Sequence, residues 1–543
     1  MTTTYDYIIV GAGSAGCVIA NRLTTDPSVS VLLLEAGGWD NELLMKMPLG
    51  AHLMRYPHLN WGYVSEPIEY LGRPLFVPRG KAMGGSSHVN AMTYSRGHPK
   101  DYDQWRQMGC EGWSYAEVLP YFKRSEKSWR GEGKYHGGSG EMEVNRTDLR
   151  GRLYDETVAA AKTLGYKESA DLHGDEPEGF SIPEFNAGRG RRASTSRAFI
   201  HPIRHRTNLH IETGALTSRI VIENGRAVGV DYVQNGEAQK GELKTARAGR
   251  EVVLCGGTYN SPQILMLSGI GPEDELRQHG IEPVLDLPGV GQNLSEHASF
   301  FIHYRTKTMV SLQRHLRYDK LAWHMASWYL FGTGPFAHQG TTAHAQVRTR
   351  QELERPDIQI FFNPARIDSR PWFPLLRRPL EDQINAIMIL LHPDSRGHVA
   401  LRSADPRDPP RIFLNILSER SDVDALLRGM KVARQVFAAE PLASLIDAEV
   451  APGLQAQSDA DLEAYLKQAA MVSHHPVGTC KMGHDDLAVV DPQLRLRGIE
   501  GLRVADASIM PTVPGGNTNA PSIMVGEKAA DLIRGLSMAP AEL

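Results

Sequence analysis

The stretch YDYIIVGAGSAGCVIANRL, residues 5–23, decides the fold. It opens with a short apolar run, turns on Gly11, Gly13 and Gly16, and continues with apolar residues at helical spacing. VSVLLLEAG, residues 29–37, is a second apolar run, too rich in valine and leucine for a surface strand. Strand, glycine turn, helix and strand within about 30 residues make a βαβ unit. Glycines in that turn let a pyrophosphate approach the helix N-terminus, where backbone N–H groups and the dipole favour anions. Glu35 closes the second strand 19 residues after Gly16. A carboxylate there accepts from both ribose hydroxyls of an adenosine and repels a 2′-phosphate. Dinucleotide binding is the expectation; a glycine turn serving close packing alone is the competing reading.

The rest of the composition bounds the answer. A chain of 543 residues exceeds one compact core, so two lobes are expected. Hydrophobic residues at 41% and charged residues at 22% are ordinary for a globular protein. A formal charge of −4 gives no basic excess for nucleic acid. Apolar stretches are interrupted well short of the roughly 18 residues of a membrane span, and no leader-like pattern precedes Tyr5. Cys17, Cys110, Cys255 and Cys480 are far apart, with no CxxC pair, which fits a reducing compartment and argues against a thiolate metal site. The expectation is a cytoplasmic enzyme with no metal.

The βαβ pattern recurs far along the chain. EVVLCGGTYNSPQILMLSGIG (251–271) and LRVADASIMP (502–511) repeat the buried strand and turn, and VGEKAADLI (525–533) reads as a closing helix. One α/β domain therefore gathers discontinuous segments. Residues 205–252 alternate as hairpins, and residues 300–460 mix strands such as DIQIFF and INAIMILL with the amphipathic DVDALLRGMKVARQVF. That mixture predicts an α+β lobe with an antiparallel sheet. The expected division is 1–300 mainly dinucleotide domain, 301–460 mainly substrate lobe, and 461–543 returning to the first domain.

PRGKAMGGSSHVNAMTYSRG (78–97) is a second glycine-serine turn, able to cradle phosphate or pass beneath a planar ring. Together with GTYNSPQILMLSGIG (257–271), DLPGVGQNLSEH (286–297) and GLRVADASIMPTVPGGNTNAPSIMVGEKAADLI (501–533), it resembles the glucose-methanol-choline (GMC) family of FAD-dependent oxidoreductases. The likeness is strongest to the bacterial alcohol and choline dehydrogenase branch. It implies an FAD-binding α/β domain. Gly11, Gly13, Ser14, Ala15 and Gly16 would hold the pyrophosphate, with Glu35 and Ala36 at the adenosine ribose and Thr217 at adenine. Arg79, Gly84, Gly85, Ser86, Asn90, Ala91, Met92 and Thr93 would lie along the phosphates and the flavin ring. Asp506, Ala507 and Asn517 would close the pocket. Some relatives attach the flavin through a histidine at the place of Val89; His88 is one residue earlier, so non-covalent FAD is expected.

MVSHHPVGTCKMG (471–483) holds two adjacent histidines before a proline. On an extended chain adjacent side chains point to opposite faces, so His474 and His475 are not expected to grip one metal. Pro476 restricts the backbone of His475. The family resemblance puts its catalytic histidine in such a His-Pro pair, which makes His475 the base, with an expected pKa near the ordinary 6.5. His474 is read as a pocket wall facing the other way. The resemblance puts the partner on Asn519, as the group that orients the hydroxyl, with Asn517 nearer the flavin.

Departures from the family pattern bear on substrate. Relatives often carry an acid in the stretch that matches HQGTTAHAQV (338–347), where an acid can hold a trimethylammonium. Here Thr341 or Thr342 falls there, which favours an uncharged primary alcohol over choline. Ser473 replaces a usually apolar residue, which favours a dehydrogenase over an oxidase. Ser473, His474 and Thr342 are the expected substrate-pocket residues. DKLAWHMASWYLFGTGPF (319–336) and RPWFPLLRRPL (370–380) read as a substrate gate, a membrane-surface dock or core packing. The leading expectation is oxidation of an alcohol to the aldehyde, with a quinone, another carrier or dioxygen as acceptor. Choline dehydrogenase and alcohol oxidase are the runners-up. Hydroxynitrile lyase is the alternative of another class.

Overall fold

The computed structural model describes residues 4–49, 56–146, 153–234, 241–366, 368–374 and 376–543. The opening stretch forms strand β1 (Thr4–Val10), helix α1 (Ser14–Leu23) and strand β2 (Val31–Glu35). β1 and β2 pair in parallel, Tyr7 opposite Val31 and Val10 opposite Leu34. Every residue of β2 is buried, as a strand covered on both faces requires.

Five more strands, from distant parts of the chain, complete a seven-stranded sheet. Leu209–Thr213 lies parallel on the free side of β2. The long strand Glu242–Leu254 pairs with β1 through its second half and with the hairpin Ala215–Glu223/Arg226–Gln234 through its first. Leu502–Val504 then pairs in parallel with Val252–Leu254. The first domain is therefore discontinuous, as the recurring strand-and-turn pattern implies. Two helices follow its strands: α2 (Gly257–Leu267) and, at the C-terminus, α5 (Asn519–Arg534). α5 begins at Asn519, six residues before the expected closing helix.

A second seven-stranded sheet is antiparallel. Its order is Ile446–Ala451, Ala298–Thr306, Gln383–Leu390, Ile358–Asn363, Ala343–Val347 and Gly179–Ser181, with Met471–Val472 beside the start of Ala298–Thr306. Gly179–Ser181 comes from the N-terminal third of the chain, so the lobe is not confined to the central segment. The amphipathic pattern at 422–437 forms α4 (Arg420–Ala438), whose Val423, Leu426, Met430, Ala433 and Phe437 pack on this sheet. α3 (Tyr318–Phe331) buries only Trp328 and lies outside both cores. The two cores meet where the strand at 471–472 leaves the second sheet and the chain returns to the first.

Candidate active site

The site begins at the turn between β1 and α1. Gly11 has φ +100°, and a Cβ there would sit 2.4 Å from the Cys255 carbonyl oxygen. A Cβ on Gly16 would meet the Gly11 carbonyl at 2.0 Å, so this glycine serves close packing. Gly13 differs: a Cβ on it would meet no protein atom. It caps α1 with no side-chain hydrogen bond and no acid in the first turn, leaving the helix's first N–H groups open to a ligand anion. Glu35 is buried at the end of β2, with Oε2 accepting from Ala12 N at 3.0 Å and Oε1 from Gly37 N at 2.8 Å. Burial raises its pKa to about 7 despite those donors.

These residues line one end of an open cavity of about 1710 Å³, its solvent-filled mouth included. Its walls carry Gly11, Gly13, Ser14, Ala15, Glu35, Ala36 and Thr217 at that end. Arg79, Gly85, Ser86, Asn90, Ala91, Met92 and Thr93 come from the second glycine turn, and Asp506, Ala507, Asn517 and Asn519 from the C-terminal segment. Gly16, Gly84 and Thr342 do not line it. Gly84 N instead donates to the Ala12 carbonyl at 2.8 Å, tying the second turn to the first. Thr342 is buried and is not among the residues of the cavity wall, unlike its expected place in the substrate pocket. Asp506 is held by Gly257 N, the Ser261 hydroxyl and Ser508 N, so it shapes the turn and has little capacity left for a ligand.

His475 sits at the other end, on a bulge. Val472 pairs with Ala298 and Val477 with Ser295. Between these pairs one chain has four residues, Ser473 to Pro476, and the other two, Glu296 and His297. The surplus is absorbed at His474, whose φ is +65°. The chain is therefore not extended there, and His474 and His475 both line the cavity rather than facing opposite ways. Bulging removes ladder partners, and Glu296 replaces them: its Oε1 accepts from His475 N at 2.7 Å and His297 N at 3.0 Å. Burial lifts the Glu296 pKa to about 8 against the Arg79 charge. Arg79 in turn donates to the His474 carbonyl at 2.6 Å. Thr258, in the first turn of α2, donates its hydroxyl to the Pro476 carbonyl at 2.7 Å and fixes the bulge to the first domain.

The ring of His475 makes two contacts. Nδ1 is 3.0 Å from His297 Nδ1, and Nε2 is 3.0 Å from Asn517 Nδ2. His297 Nε2 is 3.0 Å from the Leu391 carbonyl, which can only accept. The hydrogen of neutral His297 is thus on Nε2, its Nδ1 is an acceptor, and His475 must donate from Nδ1. Nε2 of His475 is left as a lone pair facing the cavity. Burial, with His297, His474 and Arg79 nearby, lowers the His475 pKa well below 6.5, which corrects the expectation of an ordinary value. His474 is lowered to about 3 by burial.

Asn517, not Asn519, meets His475. Asn519 opens α5 and points back to the dinucleotide end, accepting from the Ser14 hydroxyl at 2.8 Å and donating to Asn186 Oδ1 at 3.3 Å. The turn before α5 sends the two side chains to opposite ends of the cavity, which spacing alone does not reveal. Sequence reading also missed His297, Glu296 and Arg192. Buried Arg192 donates to Asn90 O at 2.6 Å and Oδ1 at 2.8 Å, fixing the loop under the cavity. His297 and Glu296 stood inside a quoted motif, but their roles depend on strand pairing across 178 residues.

The cavity suits FAD. It has the open Gly13 cradle and uncapped helix at one end. At the other end Ser473 Oγ, His474 Nδ1, Tyr259 Oη and Asn517 Oδ1 are buried cavity-lining atoms with no protein partner, the wall a polar ring edge and substrate would satisfy. Val89 lines the cavity, whereas His88 is buried outside its lining. Among the described residues no cluster of three metal-ligating side chains occurs.

Comparison with known proteins agrees with this geometry. Profiles of the N- and C-terminal regions of the family described as GMC oxidoreductase match residues 5–299 and 393–526. Mitochondrial choline dehydrogenase of Mus musculus is 41% identical, with 98% of this chain and 89% of that protein covered. The oxygen-dependent choline dehydrogenase of Chromohalobacter salexigens is 41% identical, covering 99% and 96%. Among solved structures, a formate oxidase of Aspergillus oryzae superposes with a TM-score of 0.91 at 27% identity, over 98% of both chains. A pyridoxine 4-oxidase from Mesorbium loti gives 0.86 at 28%, over 97% of this chain and 98% of the other. Glycine cradle, bulged histidine and full-length likeness converge: the chain belongs to the GMC oxidoreductase family and is an FAD-dependent oxidoreductase.

Proposed function

We propose that the protein oxidises an uncharged primary alcohol to the aldehyde, with His475 as base and Asn517 orienting the hydroxyl. The observation that carries this is the chain Leu391 O, His297, His475, Asn517, which aims a lone pair of His475 Nε2 into the flavin cavity. An alcohol entering there donates its hydroxyl hydrogen to Nε2 and accepts from Asn517 Nδ2, replacing the contact these two make with each other. Bound FAD, held without a covalent link, supplies the hydride acceptor at its N5 position. The proton moves from the carbinol oxygen to His475 Nε2. Burial and the Arg79 charge disfavour the imidazolium, so the base returns to its neutral form between turnovers.

Charge supports an uncharged substrate. Among the described residues, the carboxylates lining the cavity are Glu35 and Asp506, both engaged by backbone donors, while Arg79 stands near His475. A quaternary ammonium would find a cation and no free acid. Choline remains the second reading, supported by the choline dehydrogenases at 41% identity. Ser473 in the cavity wall supports a dehydrogenase over an oxidase. The test is a panel of primary alcohols and choline, assayed with an artificial acceptor and in parallel with oxygen alone. The expected result is turnover of uncharged alcohols above choline, and of the artificial acceptor above oxygen. Choline as the best substrate would overturn the substrate assignment. We place the enzyme in the cytoplasm, where four buried free cysteines stay reduced, in peripheral contact with the inner membrane.

A further inference from the structure

α3 has apolar residues on two sides. Its inner side packs Trp328, with Leu321 and Met325, against Met47, Phe336 and Ala337, a small cluster separate from both cores. Its outer side should be polar in a helix whose only neighbour is water. Instead Trp323 is 70% exposed, Leu330 65% and Phe331 73%. Trp323, the exposed Ala326 and Leu330 lie three and four residues apart, along one stripe. The turn at 371–377 is hydrogen-bonded to the start of α3, Tyr318 N donating to the Trp372 carbonyl at 3.0 Å and Trp372 N to the Leu316 carbonyl at 3.1 Å. That turn adds Leu376, 81% exposed. Leu375 lies outside the described residues.

The unpaired charge around this patch has one sign. Lys320, Arg370, Arg377 and Arg378 are exposed, and none is in an ion pair among the described residues. The acid on the helix, Asp319, is paired with Arg317 at 2.6 Å. Of 14 residues, the helix is far too short to span a bilayer, and among the described residues no helix qualifies. Exposed tryptophan, leucine and phenylalanine rimmed by unpaired arginine and lysine match a helix lying in the lipid interface, apolar side chains in the acyl boundary and cations at the phosphates.

The geometry points to α3 and the 370–378 turn as a docking surface for an anionic lipid bilayer. This deepens the peripheral placement proposed above and rests on it. The surface adjoins the cavity through protein contacts. Trp328 Nε1 donates to the Gly190 carbonyl at 2.9 Å, two residues from the Arg192 that holds Asn90 in the cavity wall. Gln339, shortly after α3, donates to the Ala91 carbonyl at 2.7 Å. A docked bilayer would thus sit beside the flavin cavity, where apolar alcohols and membrane electron carriers are concentrated.

The test is co-sedimentation of FAD-loaded protein with vesicles of phosphatidylcholine, with and without phosphatidylglycerol. Binding is expected to the anionic vesicles, weakened by salt, and little to the neutral ones. Arg377→Gln with Arg378→Gln should weaken it by about 30-fold. Trp323→Ser with Phe331→Ser should reduce it by at least as much, and all four changes should leave turnover with an artificial acceptor intact. No binding to anionic vesicles, or binding unaffected by both pairs, overturns the proposal. So does a dimer in solution that the same substitutions dissociate, since the patch would then be a contact between copies. Turnover with the artificial acceptor tests the alcohol reading separately, so failure of one is distinguishable from failure of the other.

Discussion

His475 donates from Nδ1 to His297 Nδ1 across 3.0 Å, and that single contact decides which nitrogen of the base faces the substrate. His297 can play the acceptor because its own hydrogen is committed to the Leu391 carbonyl. Replacing His297 by leucine removes the acceptor and frees the His475 ring to turn or change tautomer. His297→Leu is expected to lower kcat by about 10- to 100-fold while FAD stays bound, by analogy with the loss of partners that orient metal-bound histidines. His297→Gln, whose amide oxygen can accept the same hydrogen, should recover part of the loss. Equal defects in both variants would show that His297 acts only through packing.

Asn517 and Asn519 should separate chemistry from cofactor retention. Asn517→Ala removes the donor to the substrate oxygen, so kcat should fall by about 10-fold or more with FAD content unchanged. Asn519→Ala removes the acceptor of the Ser14 hydroxyl at the pyrophosphate turn. Its expected effect is weaker FAD retention, read as cofactor lost on dilution, with near-normal turnover once FAD is in excess. The reverse pattern would restore Asn519 as the catalytic partner.

The glycine turn makes a similar contrast. Gly13→Ala meets no protein atom, and φ of −76° suits alanine, so the apoprotein should fold with little change in Tm. The new methyl would stand where the pyrophosphate approaches, so FAD affinity should fall sharply. Gly11→Ala forces a Cβ against the Cys255 carbonyl at positive φ and should destabilise the apoprotein itself. Thermal melts with and without FAD read both effects.

Glu296 gives a pH signature. Its folded pKa is raised from 4.5 to about 8, so the folded state keeps a proton that the unfolded chain releases. Stability from this group is present below pH 4.5 and is lost as pH rises toward 8. Glu296→Gln keeps an acceptor for the two bulge N–H groups and does not titrate. Relative to wild type it should gain about 2 kcal/mol between pH 6 and pH 8 in urea unfolding. Glu296→Ala orphans both N–H groups and should cost on the order of 2–3 kcal/mol at either pH. Buried histidines oppose this slope on the acid side. His88 is lowered to about 4 and His297 to about 3, so stability also falls as pH drops below 6.5.

Much of the fold was legible because its signals are local. Strand, glycine turn, helix and strand around Gly11 to Glu35 are set by periodicity and by backbone freedom within 30 residues, whereas His475 was singled out by resemblance to the family's His-Pro pair. The rest depends on pairing between distant segments. The bulge at His474 exists only because residues 471–477 run against 295–299 with two residues to spare. No local pattern at His-His-Pro announces that, so extended geometry was expected and the role of Glu296 was invisible. Asn517 and Asn519 are two residues apart in one motif, and only the start of α5 sorts their directions. Thr342 was placed by likeness of a stretch rather than by chemistry, and it is not among the residues that line the cavity.

The most direct test of His475 as the base is anaerobic mixing of FAD-loaded enzyme with a primary alcohol, following the flavin absorption band. Wild type should bleach, which a lyase or a non-catalytic flavin protein would not do. The free enzyme's His475 titrates well below pH 6.5, so the rate should show no acid limb from this group near that pH. His475→Ala should retain FAD and bleach at least about 100-fold more slowly. A His475→Ala enzyme that bleaches at the wild-type rate, or a wild type that bleaches with no alcohol, would contradict the account.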